Sequence, residues 1–211
     1  MKISKITWFI FAFFAISIGI YPVLYALVDM SQGLLGNKPP EVLSNSLWSL
    51  FFYLHIGFGG VSLLTGWSQF SKKIRARNIQ LHRTLGKIYM IAVLVSGISS
   101  VFIAFYATGG IGPSFGFGIL GVLWLLTSAI AYIAVRKKHI PQHKVWMIQS
   151  YALTFAAVTL RLWLPFMGAV LHMEFIDSYR VVAWLCWVPN LLIAFAIIKI
   201  KYPKVSWFVL S

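Results

Sequence analysis

Charge is what this 211-residue chain has least of: 10% of its residues are Asp, Glu, Lys or Arg, and only four are acidic. An ordinary soluble chain is about one quarter charged, so a water-facing surface of this size cannot be covered and a soluble globular domain is excluded. There is a single cysteine, Cys186, in an apolar run. It excludes an intrachain disulfide and gives no reading of redox compartment. What fills the chain instead is apolar: 60% hydrophobic and 17% aromatic residues, with a mean hydropathy of +0.84. This is the composition of an integral membrane protein, with the lipid bilayer as its first partner. The charge that remains is lopsided, 18 Lys and Arg giving a net +14. In a soluble protein that excess would suggest nucleic acid. In a membrane protein it reports orientation, because basic residues are retained on the cytoplasmic side, and no nucleic-acid partner is expected.

A membrane-crossing helix needs about 20 mostly apolar residues. Six stretches meet that requirement, approximately residues 6–28, 47–70, 84–107, 114–135, 145–171 and 181–198. The expected fold is therefore all-α, a polytopic membrane protein of six transmembrane helices forming one domain over residues 1–211. The first stretch, flanked by Lys2 and Lys5, is longer than the roughly 7–15 apolar residues of a signal peptide, and no clear small-x-small cleavage site follows it. It reads as a span.

Six spans place both termini on one side. Lys2, Lys5, Lys72, Lys73, Arg75, Arg77, Arg83, Lys87, Arg136, Lys137, Lys138, Lys144, Lys199, Lys201 and Lys204 all fall there, 15 of the 18 basic residues. That face, with both termini, is expected to be cytoplasmic. All four acids, Asp29, Glu41, Glu174 and Asp177, fall opposite. The connections are short and leave no room for a separate soluble domain, so any function sits in the bundle or at its two mouths.

A weak internal repeat relates spans two and three to spans four and five. Leu63-Leu64-Thr65 followed by His82-Arg83 is matched by Leu125-Leu126-Thr127 followed by His143-Lys144, at offsets of 62 and 61. Two such hairpins in the same orientation would be related by a pseudo-twofold axis along the membrane normal. His82 and His143 would then lie at equal depth, at matching helix starts. Short identities among apolar residues also arise by accident, and that reading stays open.

Five histidines occur. His55 lies about nine residues inside the second span, where ionisable groups are rare and usually face the bundle interior. It is either a ligand or proton-handling group or a neutral imidazole bonded to a nearby carbonyl or hydroxyl. Arg161 is the other buried ionisable group. It follows His143 by 18 residues, close to five helical turns. Counted at 1.5 Å per residue, Arg161 is roughly 27 Å and His55 roughly 24 Å from the cytoplasmic ends of their helices. Pro165 removes the donor from the Arg161 carbonyl, so a carbonyl, a guanidinium and an imidazole are expected in one polar layer, unless the arginine snorkels to lipid phosphate.

A second candidate site lies at the cytoplasmic mouth, formed by His82, Arg83, Lys87, His143 and Lys144, with Gln69, Tyr89, Trp146 and Gln149 close in sequence. Two neutral imidazoles on facing helices can hold a haem iron inside a bundle, and the cations could compensate haem propionates or draw in an anionic reductant. The bland reading is that His-Arg and His-Lys anchor helices in the headgroup region. His139 and His172 read as solvated loop residues. Trp48, Trp67, Trp146, Trp163 and Trp207 fall near interfaces, where amphipathic rings are expected. Glycines on the second and fourth spans allow close helix approach or make room for a flat macrocycle.

The runs His82-Arg83-Thr84-Leu85-Gly86-Lys87-Ile88-Tyr89, His143-Lys144-Val145-Trp146-Met147-Ile148-Gln149-Ser150-Tyr151-Ala152-Leu153-Thr154 and Thr159-Leu160-Arg161 resemble a family of bacterial membrane proteins of unknown function. The resemblance covers about residues 50–165 and implies the bacterial cytoplasmic membrane. Gln149 departs from it, standing where the family is expected to carry Arg. At one remove, the architecture is similar to six-helix, two-haem b-type cytochromes and to ferric-reductase-type bundles, which hold each haem with two His from different helices. That likeness implies His82 and His143 as an inner haem b pair. An outer pair is deficient, since His55 has no obvious partner in the fourth span.

The leading expectation is thus a haem b-binding protein that moves electrons, with His82 and His143 as iron ligands, Arg83 and Lys144 near the propionates, and a small anionic donor on the cytoplasmic side. The alternatives are a small proton or anion transporter using His55 and Arg161, and a non-catalytic assembly or accessory protein.

Overall fold

The computed structural model describes residues 4–27 and 35–205. Lys2, Val28, Asp29 and Trp207, used above for orientation, span ends and interface, lie outside the described residues. In chain order the helices are α1 (Lys5–Ile20, continued by a 3-10 segment Tyr21–Ala26), α2 (Pro40–Leu43), α3 (Ser46–Gly66, continued by a 3-10 segment Trp67–Phe70), α4 (Lys72–Arg77), α5 (Ile79–Ala104), α6 (Ile111–Arg136), α7 (Ile140–Thr154), α8 (Ala156–Ala169), α9 (Phe175–Leu185) and α10 (Val188–Lys201). A further 3-10 turn covers Leu35–Asn37. No strand occurs among the described residues.

Six helical runs are long and apolar enough to cross a membrane: Lys5–Tyr25, Ser46–Phe70, Ile79–Ala104, Ile111–Arg136, Ile140–Ala169 and Phe175–Lys201. The third and sixth begin at Ile79 and Phe175, five and six residues before the apolar stretches that start near 84 and 181. A helix continues through polar residues, whereas the apolar criterion stops at them; the third run is capped by Asn78, while Glu174 before the sixth makes no side-chain cap bond. The caps are visible. Asn45 Oδ1 accepts from the Leu47 and Trp48 amides at the start of α3, Ser71 Oγ from Ile74 at α4, and Asn78 Oδ1 from Leu81 at 2.8 Å at α5.

The chain divides into two compact units, with the boundary between Ser99 and Ser100, inside α5. In the first, α1 and α3 cross where glycine meets glycine. A methyl group on Gly60 would lie 2.5 Å from the Gly19 carbonyl oxygen, so the helices approach at a distance only hydrogen permits. In the second, Gly116 of α6 lies under the backbone of α9, where an added Cβ would meet the Ala183 oxygen at 2.9 Å. These glycines are occupied by a neighbouring helix, which settles the choice between close approach and macrocycle space at both positions.

The fifth and sixth membrane crossings are each broken near the middle. Residue 155 separates α7 from α8, and residues 186 and 187 separate α9 from α10. The second break has a proline, Pro189, in the first turn of α10. The first has none nearby. The proline that stood out in the sequence, Pro165, lies inside an uninterrupted α8.

Candidate functional site

The turn between α6 and α7 sets the position of His143. Lys138 adopts φ +63°, its amide donates to the Val135 carbonyl, and the next amide, that of His139, reaches back to the Ala134 carbonyl at 2.8 Å. This is a Schellman turn with lysine in the left-handed place usually given to glycine. It makes the last residue of the turn, His139, the N-cap of α7. His139 is therefore half-buried rather than a solvated loop residue, and its Nδ1 is buried without a hydrogen-bond partner among the described residues. His172 is exposed, as expected, with φ +53° after α8.

One turn into α7, the ring of His143 lies against α6, with Nδ1 2.9 Å from the Ala131 carbonyl oxygen. A carbonyl only accepts, so the neutral ring carries its proton on Nδ1 and presents a lone pair at Nε2. The same face continues along the helix pair. Ser150 Oγ and Ser128 Oγ lie 2.7 Å apart, and Trp124 Nε1 donates to Thr154 Oγ1 at 2.8 Å. The partners on α7 fall at 143, 150 and 154 and those on α6 at 131, 128 and 124, so the antiparallel helices share a polar seam in three layers. Beside it, Gln149 is only 3% exposed and its amide nitrogen has no partner among the described residues. Lys144 is exposed.

In the first unit, His82 is half-buried at the start of α5, while Arg83 and Lys87 are exposed. Gln69 is buried at the end of the α3 run, its Oε1 3.8 Å from where a Cβ on Gly86 of α5 would stand. His55 Nδ1 is 3.1 Å from the carbonyl oxygen of Ser96 and 3.1 Å from its hydroxyl, and that hydroxyl donates to the His55 carbonyl at 2.8 Å. Two helices, α3 and α5, are tied at one level by this exchange.

Arg161 lies on α8, and its Nη1 donates to the carbonyl of Ala157 on its own helix at 3.0 Å. The five-turn phase relation expected between His143 and Arg161 requires an unbroken helix, and the interruption at Phe155 removes it. That interruption has a polar cluster of its own. There Asn190 of α10 extends its amide nitrogen toward three oxygens: Ala152 O at 3.3 Å, Thr159 Oγ1 at 3.1 Å and Cys186 O at 2.9 Å. The Thr159 hydroxyl also reaches Cys186 O. Ser96, Trp124, Ser128 and Asn190 escaped the sequence reading, which sought charged groups, and Ser150, Thr154 and Thr159 stood there only within the runs that carry the family resemblance. The available signal was weaker: uncharged polar residues recurring in otherwise apolar spans.

Among the described residues no three His, Cys, Asp or Glu side chains lie close enough together to form a metal cluster. A shallow groove of about 380 Å³ on α3, lined by Leu50, Tyr53, Leu54, Gly57, Phe58 and Val61, offers little polar chemistry. Six helical runs long and apolar enough to cross a membrane define a multi-pass integral membrane protein. The chain belongs to the family described as Predicted membrane protein (DUF2306), whose model matches residues 52–198. No curated protein and no solved structure matches it.

Proposed function

We propose that this protein binds haem b through His143 and His82 at the cytoplasmic ends of their helices and carries electrons in the bacterial cytoplasmic membrane. The observation that carries this reading is the state of His143. Its Nδ1–H is committed to the Ala131 carbonyl, the arrangement in which a histidine turns Nε2 toward a metal with its ring orientation and basicity already set. The pairing with His82 rests on the sequence repeat. It is supported by local register: counted from the helix starts at Ile79 and Ile140, His82 and His143 are both fourth residues, and Arg83 and Lys144 both fifth. Thr65 and Thr127 of the repeat each donate at 2.8 Å to the carbonyl four residues earlier.

The cations have a physical motive in this reading. A helix start carries partial positive charge, so Arg83 and Lys144 are unfavourable to the helices that bear them and favourable to a bound anion. Haem, when bound, would supply a one-electron couple tuned by its axial ligands. The chain's own residues would then hold the iron through imidazole nitrogens, neutralise the propionates with Arg83 and Lys144, and attract a small anionic donor with Lys87 and the basic helix α4.

The test is an absorption spectrum of the purified full-length protein after haem supplementation, oxidised and dithionite-reduced. A Soret band lost in His143→Ala, with thermal unfolding otherwise unchanged, is the expected result. A colourless protein overturns the reading. A colourless protein that also supports ion flux in liposomes, lost in Arg161→Leu, would turn it to the transporter alternative, which the two broken crossings favour.

A further inference from the structure

The turn between the second and third crossings concentrates cations: Lys72, Lys73, Arg75, Arg77, Arg83 and Lys87. A donor in solution would feel them at long range, but what lies directly against them is a separate question, independent of haem. Within the first unit Glu41 is the one acid among the described residues, and it precedes the second crossing, at the far end of Ser46–Phe70. By helical rise that end is roughly 35 Å away. None of the six cations pairs with a carboxylate among the described residues, and the ion pair that does form, Arg180 with Asp177, belongs to the second unit. The neutralising anion has to come from outside this segment.

The level of these cations in the membrane follows from the apolar residues around them. One side of α5 exposes Leu81, Ile88, Ile91, Leu94 and Ile98, within an arc of about 140°. A continuous apolar side left uncovered on a crossing helix is the side that meets lipid. Leu81 is 44% and Ile79 49% exposed, so this apolar surface reaches the first turn of α5. Only Asn78 separates Ile79 from α4, which sets α4 at the boundary where hydrocarbon gives way to headgroups. Lys87 points to the same level. It is exposed within the apolar arc, and a helical side chain leans toward the N-terminus of its helix. Its ammonium is thus carried back toward that boundary, as in any snorkelling lysine.

α4 itself is two-sided. Lys72, Lys73, Ala76 and Arg77 are exposed, whereas Ile74 and Arg75 are half-buried. At about 100° per residue the four exposed positions fill one arc of about 140°, with Ala76 between Lys72 and Lys73. Three cations therefore surround a single methyl group, which leaves room for a phosphodiester to approach all three. Both ends of the segment are tied down, by Ser71 Oγ on the Ile74 amide and by Asn78 Oδ1 on the Leu81 amide. The other basic turn lacks this construction. Lys137 and Lys138 have no helix of their own, and the Arg136 guanidinium lies 6.0 Å from the centre of the Tyr132 ring.

We propose that the exposed face of α4 binds an anionic phospholipid, with its phosphodiester against Lys72, Lys73 and Arg77 and its acyl chains along the exposed side of α5. Basic clusters directly beside a crossing attract such lipids. Here the acyl chains hold the phosphate at the depth of the cations, so its effective concentration exceeds that of a soluble anion.

The test is thermal unfolding of the full-length protein in mixed micelles, with phosphatidylglycerol exchanged for phosphatidylcholine at constant total lipid. Phosphatidylglycerol is expected to raise Tm by about 3 °C, and high salt to diminish the rise. Lys73→Gln combined with Arg77→Gln is expected to lose about two thirds of the rise, having lost two of the three cations. Lys137→Gln combined with Lys138→Gln, the same change in charge, is expected to keep it. Glycerol phosphate at equal concentration is expected to give none. A second measurement needs no unfolding: mass spectrometry of lipid retained after incubation with equal amounts of both lipids. Phosphatidylglycerol should be enriched on the unsubstituted protein and on the Lys137/Lys138 variant, and not on the Lys73/Arg77 variant. Equal Tm in the two lipids, equal losses in the two double variants, or a rise reproduced by glycerol phosphate overturns the proposal; the last would mark a site for soluble anions instead.

Discussion

His55 and His143 use the same device. Each directs Nδ1 at a main-chain carbonyl on a neighbouring helix, Ser96 at 3.1 Å and Ala131 at 2.9 Å, and each is thereby held in one tautomer and one ring plane. Both histidines are evident in the sequence as ionisable groups in apolar stretches. Their partners are not, because a backbone carbonyl leaves no trace in residue identity and Ser96 is one of several serines in α5. Lys38 was equally inconspicuous. It lies between the first two crossings with its ammonium 5.9 Å from the centre of the Trp48 ring, and burial pushes it down from its ordinary 10.5 to about 8. The unfolded chain holds the proton over the window between these values and the folded chain does not, so stability at this site rises with pH from about 8 toward 10.5. At pH 8.5 Lys38 is expected to be acylated well ahead of exposed lysines such as Lys204. Site-resolved mass spectrometry checks this, and equal labelling of the two would refute it.

Among the helices, close approach and interruption are the features with consequences. Gly57 and Gly60 are three residues apart on α3 and look alike in the sequence. A Cβ on Gly57 would meet nothing within 4 Å, whereas one on Gly60 would strike the Gly19 backbone. Gly60→Leu is therefore expected to destabilise the protein by about 2 kcal/mol through overpacking, and Gly57→Leu to be close to neutral. Thermal unfolding of the two variants side by side decides it, and equal midpoints would mean that α1 and α3 do not cross there. The interruptions follow the same logic. Pro189 marks the sixth crossing because a missing amide is written in the residue. Residue 155 is unmarked, since that break is supported from outside its own helix, by Asn190 on the Ala152 carbonyl and by Trp124 on Thr154. Pro165 also lacks an amide, but α8 continues through it to Ala169.

For the whole chain, the sorting of charge makes the most direct prediction. With 15 of the 18 basic residues expected on one face from the order of the spans, reporter fusions after Lys204 and in the basic turn at Lys137 are expected to read cytoplasmic, and a fusion in the turn at Gly110 to read external. An external reading at Lys204 would reverse the topology. That the protein crosses a membrane, and how many times, could be read residue by residue, because transfer free energy adds along a stretch of about 20 residues and needs no knowledge of neighbours. The polar chemistry obeys no such sum. A histidine's tautomer, a glycine's necessity and the bonds of the Asn190 amide to Ala152, Thr159 and Cys186 are properties of two or more helices brought together. Folding in space assigned them, since a hydrogen bond or a steric contact has no value until both partners are in place.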